Sequence, residues 1–182
     1  LGHGTQMTLI AAGSVNPLGT GADAPAGSLV VAIRAFDDNG FTSNYTLMRG
    51  IEAAIQQGAR VLSLSWGSET SSSLLESATR YAASRGLILV AAAGNAPTGT
   101  PVYPAAYEGV IGVGALTPKG DAWDQSNYGD FVAVSAPGLA DLPVGYNGDP
   151  GIYAGTSIAT AYTARRVAAI LTQNPGADRT TI

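Results

Sequence analysis

The segment Leu87-Ile88-Leu89-Val90-Ala91-Ala92-Ala93-Gly94-Asn95 decides the fold of this chain. Its apolar run, residues 87–92, does not alternate with polar residues, which is typical of a strand buried on both faces of a parallel sheet. A glycine precedes the run and another follows it, and glycines commonly bound regular structure. We therefore predict a central strand here, with Asn95 just beyond its carboxyl end.

Strand-like and helical patterns alternate on both sides of this run. Further strands are predicted at residues 29–36, 61–65, 110–115 and 131–134. Helices are predicted from His3 onward, from a cap at Ser43 or Asn44 to about residue 57, at residues 73–85, and at residues 156–172. Short strand–helix connections favour a parallel sheet covered by helices. We predict one α/β domain over residues 1–182, with a mainly parallel central sheet and helices on both faces.

The composition limits the classes of partner and site. Apolar residues make up 46% of the 182, charged residues only 12%, and the net charge is −4. Arg165 and Arg166 form the only adjacent basic pair, so we expect no nucleic-acid partner. No apolar run approaches the ~18 residues that a membrane span needs, so we expect no membrane partner. The absence of cysteine excludes disulfides, thiolate metal sites and a cysteine nucleophile.

Three polar residues stand where chemistry could occur. His3 lies in Gly2-His3-Gly4-Thr5, Asn95 follows the central strand, and Ser157 lies in Gly155-Thr156-Ser157-Ile158-Ala159-Thr160. Each also has a structural interpretation: a surface histidine, a turn asparagine and a helix N-cap serine. The chemical interpretation places a serine hydroxyl, an imidazole and an amide donor at the carboxyl edge of the sheet, where ligands bind in such folds.

In order and rough spacing, these segments resemble three signature segments of the subtilisin-like serine proteases, or subtilases. Residues 110–115 and 135–138 resemble two further family segments, and Gly21-Ala22-Asp23-Ala24-Pro25 resembles a family turn. The resemblance implies the three-layer subtilisin-like fold and serine endopeptidase activity. It also implies that the Tyr103–Pro104 peptide bond is cis.

The resemblance assigns a role to each motif. His3 would be the general base for the nucleophile Ser157, and Asn95 would complete the oxyanion hole with the Ser157 backbone N–H. Ser65, Trp66 and Gly67 would bind an extended polypeptide substrate by β-strand addition. Trp66 would then form the wall of a specificity pocket, although a core position for this side chain is an equal alternative.

The catalytic Asp of the family precedes the His, and only Leu1 and Gly2 precede His3. We therefore expect the domain to be N-terminally incomplete, with the Asp upstream and this fragment alone nearly inactive. Other departures from the family pattern are Gln6 for a second His, Ala161 and Tyr162 for a Pro-His pair, and Arg165 for a glycine.

The expected partners are a polypeptide substrate in extended conformation and a missing N-terminal segment or propeptide. The resemblance also implies a secreted, extracellular protein. Calcium is common in the family, but residues 14–21 keep only Asn16 as an obvious side-chain ligand, so we predict no metal and no cofactor.

Two alternatives to an endopeptidase remain open. The missing Asp and the altered residues Ala161 and Tyr162 are compatible with an inactive subtilase-like pseudoprotease that binds extended peptides. The second alternative is an esterase that uses the same Ser–His pair, because esters need less activation than amides.

Overall fold

A computed structural model of the chain describes residues 2–22, 24–145 and 148–182. Leu1 and Asp23, which belong to two of the family-like segments, lie outside these ranges. The elements are α1 (His3–Ala11), α2 (Asn44–Gln56), β1 (Val61–Leu64), α3 (Ser73–Ser84), β2 (Ile88–Ala92), β3 (Val110–Leu116), β4 (Val132–Pro137), β5 (Leu139–Leu142), β6 (Gly151–Ala154) and α4 (Thr156–Gln173).

The main sheet contains four parallel strands in the order β1-β2-β3-β4. All five residues of β2 are buried, as its continuous apolar run predicted. β5 and β6 form a separate antiparallel hairpin that the sequence did not predict. The carboxyl ends of β1 and β2 lead directly into residues 65–67 and 93–95, which brings two of the motifs to one edge of the sheet.

Helices cover both faces of the sheet, which confirms the predicted three-layer α/β architecture. Alternate residues of β2 point to opposite faces, so Ile88 and Val90 join one apolar core while Leu89 and Ala91 join the other. The first core includes Ile10 of α1 and Ile158 of α4, and the second contains side chains of α2 and α3. His3 and Ser157 therefore begin helices on the same side of the sheet.

The strand predicted at residues 29–36 is wrong. This segment has no regular structure, and Leu29, Val30, Val31 and Ile33 are exposed. Its sequence favours a strand, but a strand also needs a neighbour to complete its hydrogen bonds. β1 pairs with β2 alone, and within the described residues no backbone hydrogen bond joins segment 29–36 to β1.

The remaining helix and strand predictions agree with the structure to within a few residues. Ser43 caps α2, since its hydroxyl accepts a hydrogen bond from the Thr46 N–H. The Tyr103–Pro104 peptide bond is cis, as the resemblance implied. In the described part of the chain, no helix is long and apolar enough to cross a bilayer.

Candidate active site

One open cavity of about 450 Å³ lies at the carboxyl edge of the sheet and collects the residues singled out from the sequence. His3 comes from the first turn of α1, Asn95 from the loop after β2, and Ser157 from the first turn of α4. Residues 65–67, which follow β1, line the same cavity. Segments that are up to 154 positions apart in sequence thus meet at a single site.

Ser157 lies against the segment that follows β1. The Ser65 hydroxyl donates to the Ser157 carbonyl oxygen at 3.2 Å, and the Ser157 hydroxyl donates a long bond of 3.4 Å to the Ser65 carbonyl oxygen. Since α4 begins at Thr156, the Ser157 N–H is among the first helical N–H groups, which have no acceptor within the helix. Position 157 therefore presents both a hydroxyl and a backbone donor.

The amide of Asn95 is held in one orientation by Thr156. Its Oδ1 accepts a hydrogen bond from the Thr156 N–H at 2.9 Å and another from the Thr156 hydroxyl at 2.8 Å. The same hydroxyl accepts a bond from the Gly94 N–H at 3.2 Å, and Thr156 is only 1% exposed. With its oxygen occupied in this way, Asn95 has Nδ2 left to act as a donor in the cavity.

His3 lies in the wall of the cavity and is half-buried. Burial lowers the pKa of its imidazole below the ordinary value of 6.5, because desolvation disfavours the charged imidazolium. The neutral imidazole is therefore the favoured form at neutral pH. A neutral imidazole is the form that can accept a proton from a hydroxyl group.

Trp66 and Gly67 form another wall of the cavity. Trp66 is half-buried, packs on the second core, and has its ring centroid 6.0 Å from that of Phe36. It is therefore both a core residue and a cavity residue, so the two interpretations of its role do not exclude each other. Within the described residues, neither Trp66 nor Gly67 forms a backbone–backbone hydrogen bond, which leaves this stretch open to an extended peptide.

Val102 forms the floor between two walls of the cavity. A Cβ atom added to Gly67 would lie 2.5 Å from Val102 Cγ1, and one added to Gly94 would lie 3.3 Å from Val102 Cγ2. The valine methyl groups thus pack directly against the backbone of both walls. Val102 therefore occupies space between these two walls, in the same cavity as Asn95 and Ser157.

Two buried residues support the site without having been predicted from sequence. One is Thr156, and the other is Asn127, which is 3% exposed. Asn127 donates to the carbonyl oxygens of Ala93 and Thr100 and accepts from the N–H of Gly99. It thereby closes the loop that carries Asn95. A threonine beside a motif serine and an asparagine in a turn-like segment carry no local signal of such roles.

Comparisons with known proteins identify the family of the chain. The family model described as "Subtilase family" matches residues 1–182. The chain is 37% identical to the thermophilic serine proteinase of Bacillus sp. (strain AK1), over 94% of this chain and 43% of that protein. It is also 37% identical to thermitase of Thermoactinomyces vulgaris, over 90% of this chain and 58% of that protein.

Among solved structures, a cold-adapted subtilisin-like serine proteinase matches with a TM-score of 0.70 and 27% identity, covering 81% of this chain and 55% of that one. The chain spans about half the length of the relatives it matches. The match to the family model extends over its whole length, and the relatives at 37% identity are serine proteinases. On these findings, the chain belongs to the subtilase family of serine proteases.

Proposed function

We propose that the protein containing this chain is a serine endopeptidase that cleaves extended polypeptides. The observation that carries the proposal is that His3, Asn95 and Ser157 line one cavity together with residues 65–67. The Ser157 hydroxyl attacks the peptide carbonyl carbon, His3 takes the hydroxyl proton, and the protonated His3 then gives it to the leaving amine.

The Asn95 amide and the Ser157 N–H stabilise the negative charge that develops on the carbonyl oxygen. The fixed Asn95 orientation supports this role, since Oδ1 is held by Thr156 and Nδ2 remains as the donor. Loss of one such donor lowers turnover by about 10²–10³-fold, a range measured on a subtilisin itself.

The carboxylate that orients His3 comes, in this proposal, from outside residues 1–182. Two features support the idea: among the described residues β1 pairs only with β2, and segment 29–36 is irregular and largely exposed, so a further strand would supply hydrogen-bond partners to each. Loss of the corresponding carboxylate alone lowers turnover by about 3 × 10⁴-fold in the subtilisin measured. This chain alone is then nearly inactive.

The residues 65–67 bind the substrate backbone by β-strand addition. The open backbone groups of Trp66 and Gly67 and the position of Ser65 beside Ser157 support this assignment. We also propose that the protein acts outside the cell, as the family resemblance implies. Its detection in the culture medium of the source organism, with a cytoplasmic protein as control, checks this point.

The decisive experiment treats the full-length protein with a fluorophosphonate probe and locates the adduct by peptide mass spectrometry. Labelling at Ser157 that disappears in His3→Ala is expected, because only an activated serine reacts. No labelling of the folded protein would instead favour a peptide-binding pseudoprotease. Labelled protein that cleaves esters but not matched amides would identify an esterase.

A further inference from the structure

Arg165 is a charged side chain buried inside the domain. It lies in the middle of α4 and is only 4% exposed, whereas the neighbouring Arg166 is exposed to solvent. The proposed catalytic steps do not use Arg165, and the family pattern has a glycine at this position. A buried cation of this kind needs a compensating environment, because loss of hydration is costly for an ion.

The side chain reaches into the segment that follows α1, here named the 12–28 loop. This loop leaves the end of α1 and returns to it: the Ser28 N–H donates to the Ala11 carbonyl oxygen at 3.2 Å. Gly27 packs on the carbonyl group of Ala12 so closely that an added Cβ would lie 1.8 Å from its oxygen. The loop is therefore a closed surface loop with its two ends in contact.

The Arg165 guanidinium binds both halves of the 12–28 loop. Its Nη1 donates to Asn16 Oδ1 at 2.7 Å in the outgoing half. In the returning half, Nη2 donates to the carbonyl oxygen of Pro25 and Nε donates to that of Ala26 at 3.3 Å. A planar group with several fixed donors thus joins segments that are about ten residues apart.

The ligands of Arg165 are neutral oxygen atoms. Among the described residues, no carboxylate lies within ion-pair distance of this side chain. Backbone carbonyl and side-chain amide oxygens are also what Ca²⁺ selects in proteins. We propose that the 12–28 loop is a cation site that the chain fills with its own Arg165 guanidinium, so that the loop is ordered without calcium.

The donor set does not suit calcium while Arg165 is in place. The described part of the loop, residues 12–22 and 24–28, contains no carboxylate, and its one amide side chain, Asn16, already binds the guanidinium. Ca²⁺ takes six to eight oxygen ligands, and here it would meet a positive charge at the oxygen it needs. Calcium and Arg165 therefore compete for the same loop. This inference does not depend on the proposed peptidase activity.

Hydrogen exchange of the 12–28 loop tests the inference in the full-length protein. In Arg165→Met, which keeps an unbranched apolar side chain but removes the guanidinium group, we expect the Leu18 and Ser28 amides to exchange more than about tenfold faster, since charged hydrogen bonds are lost. In Arg166→Met, the matched exposed control, exchange should stay as in the wild type. Arg165→Lys keeps the charge but not the fork of donors, and exchange should be intermediate.

Added cations distinguish a cation site from mere packing. In Arg165→Ala, millimolar guanidinium chloride should slow exchange in the loop, whereas sodium chloride at the same ionic strength should not. In the wild type, neither a chelator nor added calcium should change exchange in the loop. The inference is wrong if the loop amides of Arg165→Met or Arg165→Lys exchange at the wild-type rate. It is also wrong if a chelator accelerates exchange of these amides in the wild type.

Discussion

Thr156 holds Asn95 through two hydrogen bonds, both of which end on the Asn95 amide oxygen, at 2.9 Å and 2.8 Å. Such an arrangement leaves the amide of Asn95 no freedom to exchange its donor for its acceptor. The residue next to the proposed nucleophile is thereby responsible for the direction in which the proposed oxyanion donor points.

Thr156→Val should therefore lower kcat by about tenfold or more, yet by less than the 10²–10³-fold expected for Asn95→Ala. The valine keeps the shape and the backbone bond but removes the hydroxyl, so that Asn95 is less firmly oriented. It also leaves the Gly94 N–H without its acceptor, at a cost of about 1–3 kcal/mol in the free energy of unfolding. Steady-state kinetics and urea unfolding of the full-length variant measure the two effects.

Thr160→Val is the matched control for Thr156→Val. Thr160 is fully buried in the same helix, but its hydroxyl donates to the Thr156 carbonyl oxygen at 2.7 Å and does not contact Asn95. The kcat of Thr160→Val should stay near that of the wild type. If Thr156 acts through Asn95, kcat of the double variant with Asn95→Ala should equal that of Asn95→Ala alone. Additive losses would contradict this coupling.

The lowered pKa of His3 predicts how stability depends on pH. In the unfolded chain the imidazole has its ordinary pKa of about 6.5, whereas burial lowers the value in the folded chain. Between the two values the unfolded state binds more protons, so the free energy of unfolding falls as pH is lowered from about 6.5 through the folded-state pKa. Above pH 6.5 the contribution is fully present.

Thermal unfolding over this pH range, with His3→Gln as the comparison, isolates the contribution of His3. The wild type should lose more stability than the variant on acidification, since the chain has no other histidine. An NMR titration of the imidazole gives the folded-state pKa directly. Parallel pH profiles of the two proteins, or an imidazole that titrates above 6.5, would refute the predicted burial effect for the chain.

The hydrogen bonds of Asn127 predict that its substitution lowers both the free energy of unfolding and kcat. Asn127→Ala removes donors to Ala93 and Thr100 and the acceptor for Gly99, all in part-buried surroundings, so the free energy of unfolding should fall by about 2–4 kcal/mol. Because these bonds close the loop that carries Asn95, kcat should fall as well. Urea unfolding and kinetics provide both readouts, and the exposed Asn39→Ala should change neither. Unchanged kcat in a destabilised Asn127→Ala would show that the loop keeps its position without this side chain.

The sequence predicted the elements whose signal is local and failed where the structure depends on a partner. The run at residues 87–92 can be recognised from the sequence alone, because a strand buried on both faces is apolar throughout. This run forms β2. The equally strand-like segment 29–36 lacks a strand to pair with and is irregular. β5 and β6 were missed because they lie in or next to residues 137–151, a stretch rich in glycine and proline, which is typical of turns.

Prediction of the candidate site was limited in a similar way. Three short motifs identified His3, Asn95 and Ser157, and the structure brings them to one cavity. The residues that hold them could not be found in this way, since Thr156 and Asn127 act through contacts with positions 27 to 62 residues away. Val102 likewise carries no local signal, because it belongs to the site only through its packing against the backbones of Gly67 and Gly94.

The position of Val102 predicts the size of the substrate side chain that the protein prefers. If a peptide binds along residues 65–67 as proposed, with its carbonyl group at Ser157 and Asn95, we expect the side chain of the residue that supplies this carbonyl group to lie beside Val102, which lines the same cavity. The valine methyl groups shorten this pocket, so a small side chain such as alanine should be preferred there over phenylalanine.

Val102→Ala and Val102→Gly should shift this preference stepwise toward phenylalanine, because each methylene group of pocket depth is worth about 1–3 kcal/mol, or about 10–200-fold in kcat/KM. Matched peptide substrates that differ only at this residue measure the ratio of the two kcat/KM values. Val134→Ala, an exposed position in β4 outside the cavity, should leave the ratio unchanged. A preference for phenylalanine in the wild type would show that the substrate side chain before the cleaved bond binds elsewhere. A ratio of kcat/KM values that does not change with the size of residue 102 would show the same.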